Sequence, residues 1–200
     1  MSELRHCGTR TIETDRLILR RFTIEDADAM YRNWASNDNV TKFLTWPTHT
    51  SVEATKTIIE EWIRNYDDER NYNWAIAFKD SDEAIGNISV VKIDEDCAVA
   101  ELGWCMCEEY WGQGIMPEAG LAVRDYLFDE IGFNRIAAIH DRNNAKSGRV
   151  MEKIGMRYEG MKRSASMNNQ GICDICLYAI LKEDRDNDAR QQERKEKLNR

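Results

Sequence analysis

Two hydrophobic periods alternate along this chain of 200 residues. From Thr11 to Phe22 the period is two, with Leu17 and Leu19 alternating with Ile18 and Phe22, which predicts a strand. Thr23-Ile24-Glu25-Asp26 has the form of a capping box, and Ala27, Met30, Tyr31 and Trp34 follow at helical spacing. Asn37 to Thr50 reads as a loop holding Phe43, Leu44, Trp46 and Pro47, either folded over the core or lining a site. Thr50-Ser51-Val52-Glu53 then opens a second helix, whose apolar face is Thr55, Ile58, Ile59, Trp62, Ile63 and Tyr66. Tyr72 to Phe78, Ala84 to Ile93 and Cys97 to Met106 predict three neighbouring antiparallel strands, joined at Asp80-Ser81-Asp82 and Asp94-Glu95-Asp96.

Past a glycine-containing turn, Ala119, Val123, Tyr126, Leu127 and Ile131 mark a helix that Gly132 ends. Arg135 to His140 is short and nearly all apolar, the pattern of a strand buried on both faces beside a parallel neighbour. Asn143 or Asn144 caps a helix holding Val150, Met151 and Ile154, and Gly155 closes it. Strands Met156 to Met167 and Gly171 to Leu181 meet at Asn168-Asn169-Gln170-Gly171. The order β-α-α-β-β-β-α-β-α-β-β predicts one mixed α+β domain over 11–181, after an N-terminal extension at 1–10. Residues 182–200 are almost wholly charged or polar, as in a solvated helix or a disordered tail.

Composition narrows the class. Hydrophobic residues are 42% of the chain, enough for a core, yet no apolar run approaches the ~20 residues of a membrane span. The N-terminus lacks the apolar segment of a signal peptide, so a cytoplasmic protein is expected. A net charge of −8 argues against a general nucleic-acid binder; it is compatible with a cationic acceptor such as an amine, and solubility explains it equally well. The six cysteines are Cys7, Cys97, Cys105, Cys107, Cys173 and Cys176. Cys173 and Cys176 fall on opposite faces of a strand, and Cys105 and Cys107 have no histidine nearby, so reduced, packing thiols and no metal site are expected.

The chemistry concentrates in Glu108-Glu109-Tyr110-Trp111-Gly112-Gln113-Gly114-Ile115-Met116-Pro117-Glu118-Ala119. Two close glycines let the backbone turn sharply, and Pro117 suits a helix's first turn. The free N–H groups of Gln113 to Met116 would converge on one spot, an anion site reinforced by the helix dipole. A tight strand-to-helix turn without a ligand is the alternative.

Two blocks carry a family resemblance. Ala100-Glu101-Leu102-Gly103-Trp104-Cys105-Met106 runs into the glycine turn, and Asn144-Ala145-Lys146-Ser147-Gly148-Arg149-Val150-Met151-Glu152-Lys153-Ile154-Gly155 follows after one strand. Together they resemble the acetyl-CoA-binding core of the GNAT N-acetyltransferase superfamily. Thr14-Asp15-Arg16-Leu17-Ile18-Leu19-Arg20 resembles the start of its RimJ/RimL-type branch, which acetylates α-amino groups of ribosomal proteins. The resemblance implies a mostly antiparallel sheet flanked by helices, with one parallel strand pair splayed at the cofactor site. It implies that the backbones of Gly112, Gln113, Gly114, Ile115 and Met116 hold the CoA pyrophosphate, and that Trp104, Cys105 and Met106 contact the pantetheine and thioester. Trp111 stands where the family turn usually opens with Arg or Gln, and Met116 where it ends in a small residue. Met151 occupies the position of the tyrosine that often protonates the thiolate; Ser147, with Asn144, becomes the candidate contact to the CoA sulfur.

Acetyl transfer needs a neutral amine, a fixed donor to the oxyanion and a proton for the leaving thiolate. The strand N–H of Cys105 or Met106 is the expected donor. Glu101 is the first candidate base; a surface or salt-bridged strand carboxylate is the other reading. Glu118 reads as a partner of the helix N-terminus or a catalytic carboxylate, and His140 as a packed histidine or a site residue, while His49 receives no role. Trp46, Phe43 and Tyr31 are candidates for the acceptor pocket or the core. The expected function is acetyl transfer from acetyl-CoA to a primary amine, foremost a protein N-terminal α-amino group, by direct attack in a ternary complex. Acetylation of a polyamine, amino acid or aminoglycoside-like amine is the alternative, and a non-catalytic acyl-CoA-binding sensor is another. Monomer and homodimer both remain open.

Overall fold

The strands of the computed structural model, which describes residues 3–188 and 190, are β1 (Ile12–Glu13), β2 (Leu17–Arg20), β3 (Asn73–Phe78), β4 (Ala84–Asp94), β5 (Val99–Met106), β6 (Arg135–Asp141), β7 (Arg157–Asn168) and β8 (Gly171–Leu181). They form one sheet in the order β1-β2-β3-β4-β5-β6-β8-β7. Every neighbouring pair is antiparallel except β5 with β6. The expected single strand from Thr11 to Phe22 is instead a hairpin. Thr14 closes it: its N–H donates to Leu17 O at 3.0 Å, and its Oγ1 accepts the Leu17 N–H at 3.0 Å. Apolar alternation continues through the turn, which is why the pattern hides it.

Ahead of a C-terminal helical segment, the helices that pack on the sheet are α1 (Asp26–Met30), α2 (Asp38–Thr41), α3 (Val52–Asn65), α4 (Ile115–Tyr126) and α5 (Ala145–Lys153). α1 and α4 each run on into one wider π-type turn, Tyr31–Ala35 and Leu127–Ile131. α2 lies inside the stretch read as a loop, because the Asn37 side chain accepts the Asn39 N–H at 2.9 Å and starts a helix too short to show a period. Ser51 and Asn144 cap α3 and α5 through the N–H groups of Ala54 and Ser147. Asp26 makes the reach-back half of the capping box, its carboxylate accepting the Thr23 N–H at 2.8 Å.

α4 and α5 cover one face of the sheet over the larger core, which includes Leu17, Trp74, Ile88, Leu102, Met106, Ile115, Ala119, Ile136 and Ile154. The first three helices cover the other face at β3 to β5, with Trp34, Ile59, Ala75 and Ala84 at the centre. β6 lies beyond that second layer. Ile136 and Ala138 are buried but Ile139 is 37% exposed, so β6 is not buried on both faces as its sequence suggested.

The N-terminal segment packs on this body through Gly8 N–H to Glu69 O at 2.7 Å and His6 Nδ1 against Tyr72 OH at 2.7 Å. Residues 182–188 are helical, and Arg185 is held on Asp129 by two hydrogen bonds of 2.7 Å, 5.3 Å from the Phe128 ring centroid. Most of the remaining tail lies outside the described residues. Among the described residues, no helix is long and apolar enough to cross a membrane.

Candidate active site

β5 and β6 pair only over Val99–Leu102 with Arg135–Ala138 and then part. The gap opens into a cleft of about 580 Å³ that runs from the glycine turn, past Trp104, Cys105 and Met106, to α2 and the loop after it. Alternation decides which amides it offers. Cys107 N–H donates to Ile85 O of β4 at 2.8 Å, so the Cys105 N–H, two residues back, also points at β4. The N–H groups of Trp104 and Met106 therefore point into the gap, where no strand meets them. Unpaired strand amides suit an amide-bearing ligand such as pantetheine. Gly86 keeps this lip in place: a Cβ there would stand 2.7 Å from Cys105 O, so only glycine lets β4 approach so closely.

The glycine turn forms the head of the cleft. Gly112 and Gly114 have φ of 80° and 78°, left-handed values that a side chain resists. None of the N–H groups from Gly112 to Met116 donates to a carbonyl or side chain among the described residues. Met116 is buried in the core, and Trp111 turns its indole N–H back to Met106 O at 3.0 Å, so neither unusual side chain blocks the turn. Lys42, Lys146, Arg149 and Lys153 lie along the cleft, and no carboxylate lines it among the described residues. A chain of net charge −8 thus concentrates cations beside the glycine turn. Lys146, Arg149 and Lys153 recur at i, i+3 and i+7 on α5; that helical spacing was the readable signal, and sequence reasoning missed it. Lys146 Nζ sits 4.0 Å from the Trp111 ring centroid, spanning the cleft.

Ser147 and Asn144 stand in the opposite wall at the start of α5. Asn144 is already engaged, its Oδ1 accepting the Ser147 N–H at 3.4 Å. Met151 is buried in the core. Glu101 is half-buried and faces Lys92 of β4 and Ala137 of β6, where the strands are still paired. It shares a face with Cys105 but is not part of the cleft lining. The Cys105 thiol is pushed up to about 12 by burial and stays protonated. Burial works to raise the Glu118 carboxyl, but hydrogen bonds from Thr14 and Arg16 hold it below its ordinary value. His140 donates from Nδ1 to Asp141 O at 2.7 Å and packs under Gly148, outside the lining. Burial lowers His49, which bonds to Thr55 Oγ1 at 2.8 Å.

At the α2 end of the cleft only Phe43 of the three candidate aromatics is part of the lining. Trp46 packs on the smaller core, and Tyr31 OH donates to Thr50 O at 3.3 Å. The loop behind Phe43 is tied to the β7–β8 turn by Asn169. Its side-chain amide donates to Thr41 O at 2.9 Å and Trp46 O at 2.8 Å, and its N–H to Leu44 O at 3.2 Å. No sequence signal separates this asparagine from an ordinary turn residue. Among the described residues, no group of three or more His, Cys, Asp or Glu could hold a metal ion.

A splayed parallel pair, free amides, a left-handed glycine turn and a cationic wall define a transferase that draws on a CoA thioester. Comparison with known proteins gives the family. Residues 16–157 match the acetyltransferase (GNAT) domain. The uncharacterized N-acetyltransferase YoaA of Bacillus subtilis (strain 168) is 33% identical over 171 residues, covering 86% of this chain and 96% of that protein. The ribosomal-protein-serine acetyltransferase of Escherichia coli (strain K12) is 28% identical over 139 residues, 69% of this chain and 76% of that one. RimL, a ribosomal L7/L12 alpha-N-protein acetyltransferase solved with coenzyme A, has the same fold, with a TM-score of 0.77 at 22% identity over 86% of this chain and 98% of that one. The chain belongs to the GNAT acetyltransferase family and is an acetyl-CoA-dependent N-acetyltransferase.

Proposed function

We propose that this enzyme acetylates a protein N-terminal α-amino group, as a cytoplasmic relative of the ribosomal-protein acetyltransferases. The observation that carries this reading is the lining of the cleft. The acceptor end offers Asn39, Val40, Lys42, Phe43 and Leu44. Among the described residues no carboxylate lines it, Glu108 behind it being engaged by the side-chain amides of Asn37 and Asn39. A polyamine or aminoglycoside carries several cations and needs anionic partners; here it would meet Lys42 instead. A chain terminus brings a single amine followed by uncharged backbone, which this wall accommodates. The name of the Escherichia coli relative supports the same acceptor class.

The N–H groups from Gly112 to Met116 hold the pyrophosphate of acetyl-CoA, with Lys146, Arg149 and Lys153 alongside. Trp104 and Met106 present free strand amides to the pantetheine, and Cys105 lies in the lip between them. A neutral amine entering past Phe43 attacks the thioester carbon directly. The Met106 N–H then faces the oxygen on which negative charge gathers. The carbon–sulfur bond breaks and the amine passes its extra proton through water to Glu101, which returns it to solvent. The departing thiolate takes a proton from water relayed through the Ser147 hydroxyl, so the serine ends neutral, with Asn144 fixing that helix end. The products are the acetylated amine and CoA.

The test is acetyl-CoA turnover, followed as free thiol, with peptides beginning in Ser or Ala against a panel of polyamines, amino acids and aminoglycosides. Peptide acetylation with a higher kcat/KM than any small amine is expected. A small amine that outpaces every peptide would overturn the acceptor assignment. CoA binding without turnover on any amine would favour a sensor.

A further inference from the structure

The opening segment Thr14-Asp15-Arg16 has no place in the cleft lining, yet the Thr14 and Arg16 side chains meet at the start of α4, and Arg16 also reaches the glycine turn. Glu118, in the first turn of α4, accepts Thr14 Oγ1 at 2.6 Å, the Arg16 N–H at 3.0 Å, Arg16 Nε at 2.7 Å and Arg16 Nη2 at 2.6 Å. The other arm of the guanidinium, Nη1, donates to Gln113 O at 3.2 Å. Nη2 lies 3.6 Å from the point where a Cβ on Gly114 would stand. One rigid fork therefore grips the helix start and the turn at once.

The consequence comes from peptide geometry. In a planar trans peptide the C=O and the next N–H point in opposite directions. Holding Gln113 O on Arg16 turns the Gly114 N–H away from Arg16, toward the cleft that Gly114 lines. Glu118 balances the charge of Arg16, so the contribution is directional rather than coulombic. The left-handed Gly114, φ 78°, is the joint this grip fixes.

We propose that Arg16, locked by the Glu118 carboxylate that Thr14 also holds, is a positioning residue that aims the Gln113–Gly114 peptide at the cofactor pyrophosphate, an inference that rests on the glycine turn being the pyrophosphate site. The Arg16 side chain is 46% exposed, so its replacement is compatible with folding.

The experiment compares CoA with pantetheine, which keeps the arm and thiol but lacks the pyrophosphate. Calorimetry on the full chain gives Kd for CoA, and displacement gives Kd for pantetheine, in the wild type, Arg16→Met, Arg16→Lys and Glu118→Gln, with circular dichroism as the check of folding. Arg16→Met is expected to weaken CoA about tenfold and to leave pantetheine unchanged within about twofold. Arg16→Lys behaves like Arg16→Met, because an ammonium cannot bridge Glu118 and Gln113 O together, and Glu118→Gln falls between. Wild-type protein that binds CoA no tighter than pantetheine would remove the pyrophosphate site itself. A wild type that favours CoA strongly, with Arg16→Met retaining that preference, would remove the role of Arg16 alone. Equal loss on both ligands, or full rescue by lysine, would also overturn it.

Discussion

Replacing Gly114 with alanine tests the turn through two measurements that must share one energy. A methyl group there meets nothing nearer than Arg16 Nη2 at 3.6 Å, an ordinary contact, so crowding plays no part. Only the backbone remains: φ 78° and ψ 4° is left-handed, and an L side chain resists it by about 1–2 kcal/mol. If the turn keeps its shape, the folded state loses about 1–2 kcal/mol and the unliganded Tm falls by roughly 2–8 °C for a chain of this size. If the turn relaxes, Tm stays and the N–H groups lose their aim. Acetyl-CoA must then restore the strained form, which raises its Kd by about 5- to 30-fold. Thermal melts without ligand and calorimetry with acetyl-CoA, on one preparation, give both halves, and their sum should reach about 1–2 kcal/mol. Gly112→Ala, at φ 80° with nothing within 4 Å, should give the same sum. Wild-type Tm together with wild-type Kd in both variants would refute the left-handed phosphate turn.

Four further outcomes are expected. Ser147→Ala lowers kcat more than it raises the acetyl-CoA KM, since help to the departing sulfur matters late in the reaction; a wild-type kcat would remove Ser147 from thiolate protonation. Glu101→Gln slows turnover at neutral pH and less at high pH, where the amine arrives neutral, by a factor within the ~10²–10⁴ of general base catalysis; a loss constant from about pH 6.5 to about pH 10 would mean positioning instead. Asn169→Ala frees the loop behind Phe43, so the peptide KM rises several-fold while the acetyl-CoA Kd holds; equal changes in both would mark Asn169 as a general stabiliser. In native protein at pH 8, iodoacetamide modifies the exposed Cys97 and spares the half-buried Cys105, whose thiol is pushed up to about 12; early labelling of Cys105, read by peptide mass, would contradict that raised thiol.

What the sequence revealed and what it hid divide by range. The glycine turn was legible because its chemistry is local: two glycines and a proline within six residues fix the bend and the helix start. α3 and α5 were legible through their caps and periodic faces. α2 was not, because four residues cannot show a helical period. The order β6-β8-β7 joins Arg135 to Leu181, a pairing that no local pattern encodes. Burial of β6 was overestimated because apolar content reports how hydrophobic a strand is, not how far the helices of the neighbouring layer reach. The cations on α5 were visible as spacing but meant nothing until the fold placed that helix beside the glycine turn. Arg16 and Asn169 act across 97 and 128 residues, and only the folded chain shows what they hold.

The floor beneath the splayed strands has a kinetic consequence. Met106, Ile115 and Met116 from one lip pack in the same core as Ala138, Met151 and Ile154 from the other. The two jaws are therefore welded from below, and a close-packed interior deforms little. The cofactor meets a slot already cut to width, with no opening step ahead of it. Association should be a single exponential whose observed rate rises linearly with acetyl-CoA, without the plateau that a slow conformational gate would impose. Turnover is then governed by the steps after docking, the chemistry and the departure of products, rather than by the breathing of the sheet.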